Sequence, residues 1–267
     1  MAFLQMSMYS DALCMDTDIN ILLPEVRRGR TPLEPERKYP VIYCLHGHGD
    51  DQSAYIRKSM IEIYTRDLPV IVVMPTTQRG TYVDGKYNYR YFTFLTEELP
   101  VRIANYFPAS TKREDTFIMG NSMGGYGAFR LAMGRPDLYA AAVSLSGAIG
   151  ERKDDRPMLK NTYDAEKLQY MNFGDYEEYK NSDNDLNTLA LKLDKYEGEK
   201  PRLRHVCGID DKLIYQSGLD FMKFVQENTS LEIEYEEGPG GHNWGFWNPQ
   251  IEKAIEFFGF APFKYKY

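Results

Sequence analysis

Five short runs in the chain are apolar almost without interruption: YPVIYCLHG (residues 39–47), LPVIVVMP (68–75), DTFIMGNS (115–122), AAAVSLSGA (140–148) and LRHVCGID (203–210). A strand with one face in water alternates apolar and polar side chains, whereas a run apolar at every position fits a strand covered on both faces. INILLPE (19–25) reads as an earlier strand and LEIEYEEG (231–238) as a last one. The stretches between them carry helical spacing, so the pattern predicts a doubly wound, mostly parallel α/β sheet.

Helix boundaries are read from punctuation. Thr96 is expected to cap a helix with Glu97, Glu98 and Pro100 in its first turn. A second helix starts near Gly124 and stops at Gly134-Arg135-Pro136, with Gly134 as a C-cap. The last is expected to begin at Asn248-Pro249 and to bury Ile251, Ala254, Ile255 and Phe258. The polar segment 151–200 departs from this rhythm and is a candidate small cap over the sheet.

Composition narrows the function. With 267 residues, 43% of them apolar, the chain suits a single large domain, 1–267. A net charge of −7 argues against nucleic acid and against an anionic membrane surface as partners. Cys14, Cys44 and Cys207 are too few and too widely spaced for a disulfide framework. The first residues have no basic region ahead of an apolar stretch, and no run reaches the length of a membrane helix. A cytoplasmic protein is expected.

Two motifs carry chemistry. His46-Gly47-His48-Gly49-Asp50-Asp51 is close to a pattern that grips a metal pair, and equally to a strand-end turn that supplies half of an oxyanion hole. Gly120-Asn121-Ser122-Met123-Gly124 is G-x-S-x-G between an apolar strand and a helix, the setting of a nucleophile elbow. There Ser122 would be exposed at the strand end, with the Met123 N–H at the start of a helix whose dipole favours negative charge. A serine needs a base. Of the four histidines, His205 lies inside a strand, whereas His242 sits in the glycine-rich GPGGHNWGFWN after the last strand. An orienting carboxylate comes from Asp210 or Asp211, and spacing alone leaves both open. The order serine, aspartate, histidine is that of α/β-hydrolases.

In VIYCLHGHGD, TEELPVRIANYFP, GNSMGGYGAFRLAM, CGIDDKLI and GGHNWGFWN, the chain resembles the esterase D and tributyrin-esterase group of α/β-hydrolases, relatives of S-formylglutathione hydrolases and some feruloyl esterases. The resemblance spans nearly the whole chain. It implies an α/β-hydrolase fold, Asp211 as the triad acid, and the His48 N–H as second oxyanion donor. It also implies cleavage of short acyl esters, acetyl to butyryl, sugar acetyl or feruloyl, through an acyl-enzyme, with no cofactor and no metal. A homo-oligomer is expected on the same ground. The chain departs from the group at Asn121, His48 and Tyr55, where apolar residues, commonly Leu, Met and Trp, are usual. Asn121, Trp244 and Trp247 are candidate substrate contacts. The alternatives are an S-formylglutathione thioesterase, a metal-dependent hydrolase, and a hydrolase fold kept only for binding. Against the metal, position 51 is Asp where the pattern needs His, and His242 is better used as the base. The aromatic stretch YVDGKYNYRYFTF (82–94) reads first as core packing and second as a rim for a sugar or phenolic group.

Overall fold

The computed structural model describes residues 1–25, 36–150 and 165–262. Its strands are β1 (Ala2–Ser10), β2 (Met15–Leu23), β3 (Val41–Leu45), β4 (Ile71–Pro75), β5 (Thr116–Asn121), β6 (Ala141–Leu145), β7 (Arg202–Gly208) and β8 (Ile233–Gly238). They form one sheet in the order β1-β2-β4-β3-β5-β6-β7-β8. The pairs β1/β2 and β2/β4 are antiparallel, and from β4 to β8 every pair is parallel. The expected doubly wound sheet is therefore present, extended by an N-terminal hairpin.

Continuous apolar runs do build two cores. In β3, Val41, Tyr43 and Leu45 face one layer while Ile42 and Cys44 face the other. The first layer packs Phe94, Leu99, Phe129, Leu189, Leu193 and Phe221 against the sheet. The second packs Tyr55, Ile61, Trp247, Ile251 and Ile255. Helix Leu186–Asp194, inside the segment read as an excursion, buries Leu186, Leu189, Ala190 and Leu193, so it belongs to the flanking layer. The helix Ala165–Phe173 lies against the aromatic stretch instead. Asn172 receives the Lys86 amide at 3.3 Å, Met171 the Tyr87 amide at 2.8 Å, and Tyr170 stacks on Tyr87 at 5.7 Å. Residues 151–164 of the candidate cap lie outside the described residues. Within the aromatic stretch, Tyr82, Tyr91 and Phe94 are core, whereas Tyr87 and Tyr89 are exposed.

Three helix boundaries differ from expectation. Helical backbone begins at Tyr91, not at Thr96, and passes through a π turn, Phe94–Glu98, into Leu99–Tyr106. The Thr96 hydroxyl donates back to the Phe92 carbonyl at 2.8 Å. Glu98 does not serve the helix dipole. Its carboxylate accepts from the Ser10 hydroxyl at 2.7 Å and from the Asp11 and Ala12 amides at 3.0 and 3.1 Å, closing the turn of the β1/β2 hairpin. Gly134 is the last residue of helix Met123–Gly134 and not a left-handed cap; a Cβ there would meet the buried Arg130 guanidinium at 2.4 Å. The last helix runs Trp244–Phe257 and is capped by Asn243, whose side chain accepts from the Phe246 amide at 3.2 Å. Asn248 instead turns to the Met60 amide at 2.7 Å, and Pro249 sits inside the helix.

His205 is wholly buried in β7, with Nδ1 3.2 Å from the Ser144 hydroxyl and its ring stacked on Tyr235 at 5.9 Å. Burial pushes its pKa down to about 4. The neutral ring is thus the folded form. Its contribution to stability is complete above about pH 6.5 and is lost as the pH falls toward 4, about 3 kcal/mol in all. Thermal melts from pH 7 to pH 4.5 should therefore show a shallower decline in His205→Phe than in wild type; parallel curves would remove His205 from the account.

Candidate active site

The loops that follow β3, β5, β7 and β8 meet at the carboxyl ends of the parallel strands, where open α/β sheets place their sites. Ser122 stands between β5 and helix Met123–Gly134 with φ 54° and ψ −116°, a strained conformation for a residue with a Cβ. Its amide is tied to the Leu145 carbonyl of β6 at 2.9 Å. The flanking glycines are demanded by contact. A Cβ on Gly120 would lie 2.2 Å from the Gly124 carbonyl oxygen, and one on Gly124 would lie 2.0 Å from the Leu45 carbonyl oxygen. Backbone cannot yield to these as a side-chain tip could. Gly124→Ala should accordingly cost about 3 kcal/mol in urea unfolding, at the upper end of overpacking effects; a loss below about 0.5 kcal/mol, the scale of a neutral surface change, would contradict this packing.

His242 follows β8. Its Nε2 is 2.7 Å from the Ser122 Oγ, and its Nδ1 is 2.7 Å from Asp211 Oδ2. An ionised carboxylate only accepts, so the Nδ1–H donates to Asp211 and Nε2 is left to accept from the serine hydroxyl. Asp211 is buried after β7, and its Oδ1 accepts from the Leu213 and Ile214 amides at 3.1 and 3.4 Å. Asp210, the other carboxylate left open by spacing, is exposed and receives the Gly240 amide at 3.3 Å. Trp247 is buried with its ring edge-on to His242 at 5.0 Å. Trp244 is half-buried and meets both Trp247 and Tyr55 edge-on, at 5.5 and 5.3 Å.

The HGHG turn after β3 packs directly on the elbow. A Cβ on Gly47 would come within 3.5 Å of the Ser122 Cβ and 2.9 Å of the Asn121 Nδ2. His46 is buried, with Nδ1 2.8 Å from the Gly47 carbonyl and Nε2 3.0 Å from the Thr77 amide. The amide can only donate, so Nε2 accepts and Nδ1–H donates. Both ring nitrogens are spent on backbone, which leaves His46 no lone pair for a metal. Among the described residues no group of three or more His, Cys, Asp or Glu is arranged to hold a metal ion. His48 follows on an exposed turn, and Met123 opens its helix, a position whose N–H has no intrahelical acceptor. Asn121 is completely buried beneath Gly47, and its amide has no protein partner. It underlies the turn and does not reach the open side of the site, where a substrate contact would have to be.

Two residues around the site escaped the sequence reading. The Tyr82 hydroxyl donates to the His46 carbonyl at 2.7 Å, and Thr77 supplies the amide that fixes the His46 ring. Both come from more than thirty residues downstream, and no local pattern marks them.

The Esterase family model matches residues 10–258 of this chain. The chain belongs to the esterase family. An acetyl esterase of Caldicellulosiruptor saccharolyticus is 32% identical over 273 residues, covering 96% of this chain and 98% of that protein. Among solved structures, the fluorophosphonate-binding serine hydrolase F of Staphylococcus aureus superposes with a TM-score of 0.86 at 28% identity, over 96% of this chain and 98% of the other. The S-formylglutathione hydrolase of the same organism gives 0.82 at 27% identity, with the same coverage. This esterase is a serine ester hydrolase with the α/β-hydrolase fold, acting on small-molecule substrates. Among its described residues no helix is long and apolar enough to cross a membrane.

Proposed function

We propose that this esterase cleaves short-chain acyl esters, acetyl to butyryl, through an acyl-enzyme on Ser122. The observation that carries the reading is the unbroken relay from Ser122 through His242 to the buried Asp211, 2.7 Å at each step. Ser122 Oγ attacks the ester carbonyl as its proton passes to His242 Nε2. The imidazolium so formed is stabilised by Asp211. The Met123 and His48 amides receive the oxyanion, a contribution on the order of 10²–10³ in rate per donor. His242 then protonates the departing alcohol. It next takes a proton from water, which attacks the acyl carbon and releases the carboxylic acid and free Ser122.

The acyl range rests on the similarity to an acetyl esterase. The chain is taken as one domain, with helix Ala165–Phe173 and its partner stretch around Tyr87 as a cap beside the site. Trp244 and Trp247 are assigned to its wall. A thioesterase acting on S-formylglutathione is the second reading, favoured by the second solved structure.

One assay series separates them. p-Nitrophenyl acetate, butyrate and octanoate are compared with S-formylglutathione, each with and without EDTA. The expected result is the highest kcat/KM for acetate or butyrate, at least tenfold lower values for octanoate and S-formylglutathione, and no effect of the chelator. S-Formylglutathione as the best substrate, or activity lost to EDTA, would displace this reading.

A further inference from the structure

The two edges of the sheet are finished differently. At one edge, β8 reads Ile233-Glu234-Tyr235-Glu236-Glu237-Gly238 and carries three carboxylates. Charged side chains are a common means of keeping an edge strand from pairing with another chain. At the other edge, β1 reads AFLQMSMYS, nine residues without a charge or a proline. Its register with β2 runs from Ala2 opposite Leu23 to Ser10 opposite Met15 without a slip, so no bulge turns this edge away. An antiparallel strand sends alternate N–H and C=O groups to its two sides. Among the described residues, none outside β2 makes a backbone-to-backbone hydrogen bond with Ala2–Ser10.

The side chains say what completes this edge. On one face Leu4, Met6 and Met8 pack on the first core layer but stay half-buried, because no strand lies on their far side. On the other face Phe3 and Tyr9 are 42% and 56% exposed, with Gln5 and Ser7 between them. Consider a second copy related by a twofold axis that passes through Met6 perpendicular to the sheet. Phe3 then lies opposite Tyr9, Leu4 opposite Met8, and Gln5 opposite Ser7. Large apolar residues meet large apolar residues, and the two exposed polar ones meet each other. Opposed side chains of an antiparallel pair share a face, and aromatic pairs there are favourable. Moving the axis to Gln5 sets Phe3 against Ser7, and moving it to Ser7 sets Tyr9 against Gln5, so the sequence selects one register. The contact uses the same surface on both copies and closes on itself.

We infer that β1 is a self-docking edge: two copies of this chain join β1 to β1, antiparallel about Met6, into one continuous sheet of twice eight strands. Such a strand pair exchanges about eight to ten main-chain hydrogen bonds, as many as a typical protein interface carries in all. β5, which leads to Ser122, is four strands from β1 in the sheet order, so the pairing neither uses the catalytic relay nor depends on its assignment.

The test weighs the purified chain, free of any N-terminal tag, by sedimentation equilibrium. The expected mass is twice 31.0 kDa. Gln5→Lys/Ser7→Lys changes two exposed side chains and gathers lysines around the axis. It should raise the dissociation constant by about a hundredfold or more, since like charges set across an interface oppose it strongly. Turnover of p-nitrophenyl acetate should be unchanged in that variant. Hydrogen exchange on the wild-type chain supplies the second reading. A free β1 protects only the alternate amides bonded to β2, whereas a β1-paired dimer protects nearly all of them from Phe3 to Ser10. A monomer at every concentration reached, a dimer that the lysines leave intact, a mass that keeps growing with concentration, or protection of alternate amides only would each overturn the inference. The exchange measurement needs no variant, so a substituted chain that fails to fold leaves the test standing.

Discussion

Ser122→Ala is expected to lower kcat/KM for p-nitrophenyl acetate by on the order of 10⁴-fold or more. The hydroxyl is the atom that His242 Nε2 meets at 2.7 Å, and alanine offers nothing in its place. The backbone around it is held by the Leu145 carbonyl and by the close contacts of Gly120 and Gly124, none of which involves the serine Oγ. The variant should thus melt within a few degrees of wild type. The measurement is turnover of the purified variant beside a melting curve. A folded Ser122→Ala protein retaining a tenth of wild-type activity would mean that another group attacks the ester.

Asp211→Asn is the second large effect. The carboxylate can only accept, and this keeps the proton of His242 on Nδ1 with Nε2 free for the serine. An asparagine amide can turn its NH₂ toward Nδ1 and favour the opposite tautomer, with Nε2 protonated and unable to take the serine proton. A fall in kcat of about 10³–10⁴ follows, with KM little changed. Oδ1 retains its role toward the Leu213 and Ile214 amides, so the fold should persist. Asp210→Asn provides the contrast: Asp210 faces the Gly240 amide, and its substitution should leave kcat within threefold, a scale of about 0.7 kcal/mol. Equal losses in the two variants would mean that spacing was right to leave both aspartates open.

The elbow was legible because its constraint is local. A Cβ two residues before or two after Ser122 would meet backbone at 2.0–2.2 Å, so only glycine fits and the geometry is written into five consecutive letters. His242 could be found by elimination among four histidines, and the buried strands by their unbroken apolar runs. Asp211 was not separable from Asp210 by spacing, because adjacent residues leave a strand in different directions and only the fold says which direction holds the histidine. The helix starts were misread for a related reason. Thr96 and Asn248 have the chemistry of caps, but helices begin where a layer needs covering. Tyr91 and Phe94 bury themselves ahead of Thr96, and Phe246 and Trp247 ahead of Asn248. β1 does carry a signal, with Leu4, Met6 and Met8 alternating with Gln5 and Ser7, but such alternation is the mark of a half-covered edge strand and not of a strand buried on both faces. The ties from Thr77 and Tyr82 to His46 cross more than thirty residues and left no mark in the sequence.

The left-handed backbone of Ser122 sets two demands on this chain against each other. A side chain in that conformation costs about 1–3 kcal/mol, which glycine would largely recover. Heat selection that ignored turnover would favour glycine at position 122 and discard the hydroxyl. Any programme to harden this esterase therefore has to score turnover alongside survival at every round, because the easiest gain in endurance lies at the one atom it cannot lose.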